Sequence, residues 1–268
     1  WDGLSSTRGD MIHNIGVGDV FVVAGQSNAA GRAKNPVEDA PELGVHLLRD
    51  SGVWDLATLQ VVPGIRIAAP RDEATLRELL GEAVRIDDGP TVLRYPKGST
   101  GKPIPAVRRT EDGVDVLAEH DQATPEERAH RGRDVLFAAV GPMSRVALDA
   151  AELLAAEGIS STVVDPRWVI PVSQSVVELA SEHRLVISIE DGIRVGGVGT
   201  RIRQALRDAG VDTAVSELGT SGEFLEHATR DELLHDAGLV ADRIAETVAE
   251  QVRGTRIPVA RPTQPTQS

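Results

Sequence analysis

The chain has 268 residues, enough to bury one large hydrophobic core or two modest ones. A formal net charge of −13 repels nucleic-acid backbones and anionic membrane surfaces, so neither is expected as a partner. Cysteine is absent, which excludes disulfides, thiolate metal sites and cysteine nucleophiles.

Residues 1–56 hold one convincing strand, Val20 to Ala24, and little else that is periodic. A single strand buries no core, so this region is expected to be poorly ordered unless it docks elsewhere. Its start lacks an initiator Met and a signal-peptide pattern, which reads as a fragment, a processed product or a translation of partial sequence. In residues 57–120 the first element is "IRIAAP", a short buried strand ending at Pro70. An amphipathic helix follows in "RDEATLRELLGEAVR", with Asp72 as N-cap and Leu76, Leu79, Leu80 and Ala83 on one face. "PTVLRYP" is a second strand, completing a strand–helix–strand unit of a parallel sheet, and "GVDVLAEH" reads as one strand more.

Residues 121–133 read as a linker. From Asp134 to Gly254, "DVLFAAVG", "STVVDP", "LVISIED" and "TAVSEL" alternate with helices at 144–157, 173–182 and 199–209, and helices at 230–235 and 240–252 follow. This rhythm predicts an α/β domain with a mainly parallel sheet. The tail 255–268 is proline-rich and polar and is expected to be disordered. No apolar stretch approaches the roughly 20 residues that cross a bilayer, so the expected setting is soluble and cytoplasmic.

Two stretches bear on chemistry. After the strand Val20 to Ala24 comes Gly25-Gln26-Ser27-Asn28, with Gly31 nearby. A turn there would expose the Ser27 hydroxyl as a nucleophile, given a base and oxyanion donors, but the pattern alone favours a loop-capping serine. In "TVLRYP", Arg94 stands at a strand's carboxyl end, where a guanidinium can grip phosphate or simply be a surface charge. The glycine loop of "EDGIRVGGVG" opens a helix; its spacing departs from G-x-G-x-x-G and favours tight strand–helix packing over ligand binding. His227 and His235 favour capping and surface roles over a metal site, and no metal-ligating or cofactor-binding residue is assigned.

"GDVFVVAGQSNAAGR" and "GVHLLRDSGVWDLAT" resemble the start of SGNH-type carbohydrate esterases of the sialate O-acetylesterase group. That resemblance gives Ser27 the nucleophile's role and implies a later His block, usually with an Asp three residues before it, which the sequence does not show. A second resemblance covers about Trp54 to Arg253. "WDLATLQVVPGIRIAAPRDEATLRELL", "TVLRYPKG", "TVVDPRWVIPV", "ISIEDGIRVGGVGTRIRQAL" and "FLEHATRDELLHDAGL" resemble 1-deoxy-D-xylulose-5-phosphate synthases, of the transketolase superfamily. It implies an α/β fold: a partial pyrimidine-binding domain followed by a complete transketolase C-terminal-like domain. It also implies thiamine diphosphate and Mg²⁺ as the family's cofactors, a homodimer formed through the C-terminal domain, and a sugar-phosphate ligand whose phosphate falls to Arg94. The family's upstream His aligns with Asp50, with His46 out of register, and its activating Glu and Gly-Asp-Gly motif lie upstream of the matched segment.

The two resemblances meet in "SGVWDLAT", which suggests a chimera joined between Gly52 and Leu59. Three functions are then weighed: a partial synthase inactive alone, a serine esterase built on Ser27, and a non-catalytic dimerisation module.

Overall fold

The computed structural model describes residues 20–24, 56–96, 101–121, 132–221 and 229–254. Two sheets share one seam. The first has the order β1-β3-β2-β8, from β1 (Val20–Ala24), β3 (Thr91–Tyr95), β2 (Arg66–Ala68) and β8 (Trp168–Ile170). β1, β3 and β2 are parallel, with Ala24 opposite Tyr95, and β8 closes the edge antiparallel to β2. The one strand expected in residues 1–56 is therefore docked on β3.

The second sheet has the order β10-β9-β6-β7-β5-β4. It is built from β4 (Arg108–Arg109), β5 (Asp115–His120), β6 (Arg133–Ala139), β7 (Ser161–Asp165), β9 (His183–Ile193) and β10 (Ala214–Thr220). β10, β9, β6 and β7 are parallel; β5 and β4 continue the sheet antiparallel. The mainly parallel α/β architecture expected from the sequence is present. Strands are shared across the regions read from the sequence: β4 and β5, grouped with residues 57–120, form the antiparallel edge of the second sheet, and β8, grouped with residues 134–254, joins the first. β5 pairs with β7 about 45 positions later, a pairing that no local pattern encodes.

The helices are α1 (Leu56–Leu59), α2 (Glu73–Ala83), α3 (Met143–Ala156), α4 (Gln174–Ser181), α5 (Val198–Asp208), α6 (Arg230–Asp236) and α7 (Ala241–Gly254). α2 starts where the sequence puts it. The Asp72 carboxylate accepts from Thr75 N at 2.9 Å, and the Thr75 hydroxyl accepts from Asp72 N at 3.0 Å, so two otherwise orphan donors are satisfied reciprocally. Leu79 and Ala83 are buried, whereas Leu80, expected on the same face, is 39% exposed. Leu79 and Ala83 pack with Ala68 of β2 and Leu93 of β3, and the apolar stripe is narrower than the sequence pattern suggests.

Burial welds the two sheets together. On one face of the second sheet, Phe137, Ile187 and Met143 pack with Ile244 and Val248 of α7. On the other, Val164, Val186, Val198 and Ile202 form one continuous cluster with Ile67 and Val92 of the first sheet. The segments that the sequence separates into regions thus share a core. β8 strengthens the weld: the chain leaves β7 at Asp165, turns through Arg167 at φ +61°, and returns to pair with β2. That left-handed conformation is costly for a non-glycine residue. It is held by Arg167 N donating to Asp165 Oδ1 at 2.8 Å and by Arg167 O accepting from Ala69 N at 2.9 Å.

Candidate phosphate site at the seam of the two sheets

β3 and β9 bring their carboxyl ends to the same place. This is where parallel α/β sheets put ligand sites, because loops diverge there and backbone donors face outward. Arg94, the fourth residue of β3, reaches across the seam to the Asp191 carboxylate of β9. Arg230, the first residue of α6, holds the other oxygen, with Nη2 2.9 Å from Asp191 Oδ2. One buried carboxylate thus bridges two guanidinium groups. Asp191 is buried, which alone would raise its pKa, but Arg94 and Arg230 outweigh that and hold it below the usual carboxylate range.

Glu190 is the neighbouring acid and has a different fate. It is 1% exposed; burial pushes its pKa up to about 7, against the pull of the Gly199 N–H and Arg94. Its Oε1 accepts from Gly199 N at 3.3 Å in the first turn of α5, while Oε2 has no partner among the described residues. The glycine loop is shaped around it. A Cβ on Gly197 would overlap the Glu190 carboxylate, and one on Gly199 would overlap Ser188 Oγ and stand 2.7 Å from Glu217 Cγ. The loop's glycines therefore serve close packing of strand and helix, as their spacing suggested. A Cβ on Gly192 would lie 3.3 Å from Glu190 Oε2 and 3.9 Å from Arg94 Nη2, so the acid and the guanidinium flank one backbone position.

A second charged cluster, which the sequence did not reveal, locks the seam farther along. Arg71 Nη1 donates to Asp115 Oδ2 at 2.7 Å and Asp165 Oδ2 at 2.8 Å, and its Nε donates to Ile104 O at 3.0 Å. Arg109 Nε donates to Asp115 Oδ1 at 2.6 Å, and Arg167 pairs with Glu82, which also accepts from Trp168 Nε1 at 2.7 Å. Burial would raise the pKa of Asp115, yet two guanidinium groups hold it low; fully buried Asp165, with Arg71 shared, is pushed up to about 6. Every member has a charged partner, and the cluster reads as a structural tie between the sheets.

Of the sequence's candidates, Arg94 is brought into a charged cluster. Ser27, Asp50, His46 and His227 lie outside the described residues. His235 is an exposed residue near the end of α6. No group of three or more His, Asp or Glu suited to a metal occurs among the described residues. A cleft of about 520 Å³, lined among others by Glu217, His235, Asp236 and Arg243, shares no residue with the Arg94 cluster. Sequence reasoning missed Asp191 and Arg230. The signal for Asp191 was two acids closing an otherwise apolar strand, "VISIED", which is unusual unless they are paired.

Residues 37–102 match the transketolase pyrimidine-binding domain and residues 126–244 match the transketolase C-terminal domain. The class that fold and site define is thus a mixed α/β unit carrying these two transketolase-type domains. Over 211 residues the chain is 60% identical to the 1-deoxy-D-xylulose-5-phosphate synthase of Leifsonia xyli subsp. xyli (strain CTCB07), covering 79% of this chain and 31% of that protein. It is 58% identical, with the same coverage, to the 1-deoxy-D-xylulose-5-phosphate synthase of Clavibacter sepedonicus. The chain therefore spans 31% of the length of these curated relatives. Among solved structures, an inactive β4 tetramer of a split-gene transketolase is similar in fold, with a TM-score of 0.68 and 22% identity over 93% of this chain and 74% of that one. A variant transketolase from Pichia stipitis gives a TM-score of 0.57 and 16% identity over 75% of this chain and 27% of that one. The pyrimidine-binding match starts at residue 37, inside the block read as esterase-like and upstream of the join expected between Gly52 and Leu59. No helix among the described residues is long and apolar enough to cross a membrane.

Proposed function

We propose that this chain is the C-terminal portion of a 1-deoxy-D-xylulose-5-phosphate synthase, and that Arg94 binds the phosphate of glyceraldehyde 3-phosphate. The observation that carries the reading is 60% identity over 211 residues to a protein of that name. The parent reaction joins two carbons of pyruvate to glyceraldehyde 3-phosphate and releases the third as CO₂. The geometry supports Arg94's role. A guanidinium at a strand's carboxyl end, already holding one carboxylate oxygen, can offer its remaining N–H groups to a phosphate.

Thiamine diphosphate and Mg²⁺ belong, in this reading, to segments outside the chain. The sequence contains no Gly-Asp-Gly, and the acids at the seam are committed to arginines and to the α5 amides, which does not fit a diphosphate–metal pair. The chain's own contribution is to grip the phosphate and so position the aldehyde. The chain alone is expected to be inactive, cytoplasmic and homodimeric through its C-terminal domain; light scattering showing only monomers would remove the last point. The esterase resemblance, which rests on residues 18–32 and 44–58, carries no activity in this reading.

A graft tests the proposal. The Leifsonia xyli enzyme is rebuilt with residues 54–253 of this chain in place of its own corresponding segment. Formation of 1-deoxy-D-xylulose 5-phosphate by the folded hybrid supports the reading, and a folded hybrid without turnover refutes it.

A further inference from the structure

We propose that Arg230 is a second guanidinium of the phosphate site, held beside Arg94 by their shared carboxylate, Asp191. The inference rests on Arg94 being a phosphate ligand and adds a residue from a different element.

The charges favour it. Arg94 and Arg230 carry two positive charges and Asp191 one negative, so the trio keeps a net positive charge for an incoming anion. Exposure favours it as well. The Arg94 side chain is 8% exposed and the Arg230 side chain 29%, so an anion arriving from solvent meets Arg230 with more of its surface free. Each guanidinium has five N–H donors. Among the described residues, Arg94 is hydrogen-bonded to Asp191 alone, and Arg230 to Asp191 with the Met143 sulfur at 4.0 Å. Both therefore retain donors for a phosphate, which can bridge two arginines on the solvent side as the carboxylate does within.

Arg230 is also pre-positioned. It follows Thr229, whose hydroxyl accepts from Glu232 N at 3.3 Å while the Glu232 carboxylate accepts from Thr229 N at 2.8 Å. This capping box fixes the start of α6, and with it the direction from which Arg230 enters the seam. A site with both arginines already tethered loses less conformational entropy on binding than one that must order two free side chains.

The test titrates inorganic phosphate into the full 268-residue chain by calorimetry, with thermal unfolding confirming that each variant is folded. Arg94→Gln should abolish binding. Arg230→Gln should weaken it about tenfold, and Arg230→Lys, which keeps the charge but loses the planar fork, should weaken it several-fold. Arg243→Gln, an exposed arginine outside the site, should leave affinity unchanged. If Arg230→Gln and Arg230→Lys both bind like the unaltered chain while Arg94→Gln does not, Arg230 is only an ion-pair partner and the inference falls, with the Arg94 reading intact. If Arg243→Gln weakens binding as much as Arg230→Gln, bulk charge explains the effect and the inference also falls. If the unaltered chain binds no phosphate, both readings fall.

Discussion

Replacing Glu190 with Gln should make the fold more stable above neutral pH and change it far less at acid pH. Glu190 is buried against Gly197 and Gly199, and its pKa rises from 4.5 to about 7 in the folded chain. At pH 4 both folded and unfolded states are largely protonated and the shift costs nothing. As pH rises past 4.5 the unfolded carboxyl ionises while the folded one keeps its proton, so stability declines until about pH 7 and then levels off. A rise of about 2.5 units, at 1.36 kcal/mol each, corresponds to a cost on the order of 3 kcal/mol. Gln is neutral throughout, keeps an oxygen for Gly199 N and avoids that cost. Any mismatch of its NH₂ with nearby Arg94 acts equally at every pH. Urea unfolding at pH 5 and pH 8 separates the two contributions. The difference between variant and unaltered chain should shift in the variant's favour by about 2–3 kcal/mol between those pH values. A difference independent of pH would refute the assignment of Glu190 as a buried, protonated acid.

Arg71→Met would leave Asp165 without a guanidinium partner, and Asp115 with one fewer; a loss of roughly 3–5 kcal/mol in urea unfolding is expected. Asp72→Ala removes the N-cap of α2 and an acceptor for Ile104 N, and should cost about 1–2 kcal/mol by the same measurement. Gly199→Ala places a methyl group against Ser188 and Glu217 and should destabilise by about 1–3 kcal/mol, visible as a lower Tm. Hydrolysis of 4-nitrophenyl acetate should stay at the uncatalysed rate and be unaltered by Ser27→Ala; a rate that Ser27→Ala removes would restore the esterase reading.

The legible parts of the fold are those whose signals are local. "DVLFAAV" and "LVISI" are buried apolar runs between helix-forming segments, and β6 and β9 lie where those runs do. The α2 cap was readable because Asp72 and the helix it starts are adjacent in the chain. β8 was not readable, because three residues after Pro166 carry no period, and their partner β2 lies about 100 positions earlier. The site divides in the same way. Arg94 stood out through the stretch "TVLRYPKG". Its partner Asp191 is 97 positions away, and Arg230 is a further 39, so the trio exists only once the two sheets meet. The cluster of Arg71, Asp115 and Asp165 is likewise assembled from the loop before α2 and from β5 and β7, each unremarkable in its own stretch of sequence.

The most direct measurement of the central claim uses the hybrid enzyme with and without Arg94→Gln, comparing glyceraldehyde 3-phosphate with unphosphorylated D-glyceraldehyde. If Arg94 grips the phosphate, the variant should raise KM for glyceraldehyde 3-phosphate about 10- to 100-fold, the worth of charge-assisted hydrogen bonds, and leave turnover of D-glyceraldehyde unchanged. Equal losses with both aldehydes, or no loss with either, would contradict the account.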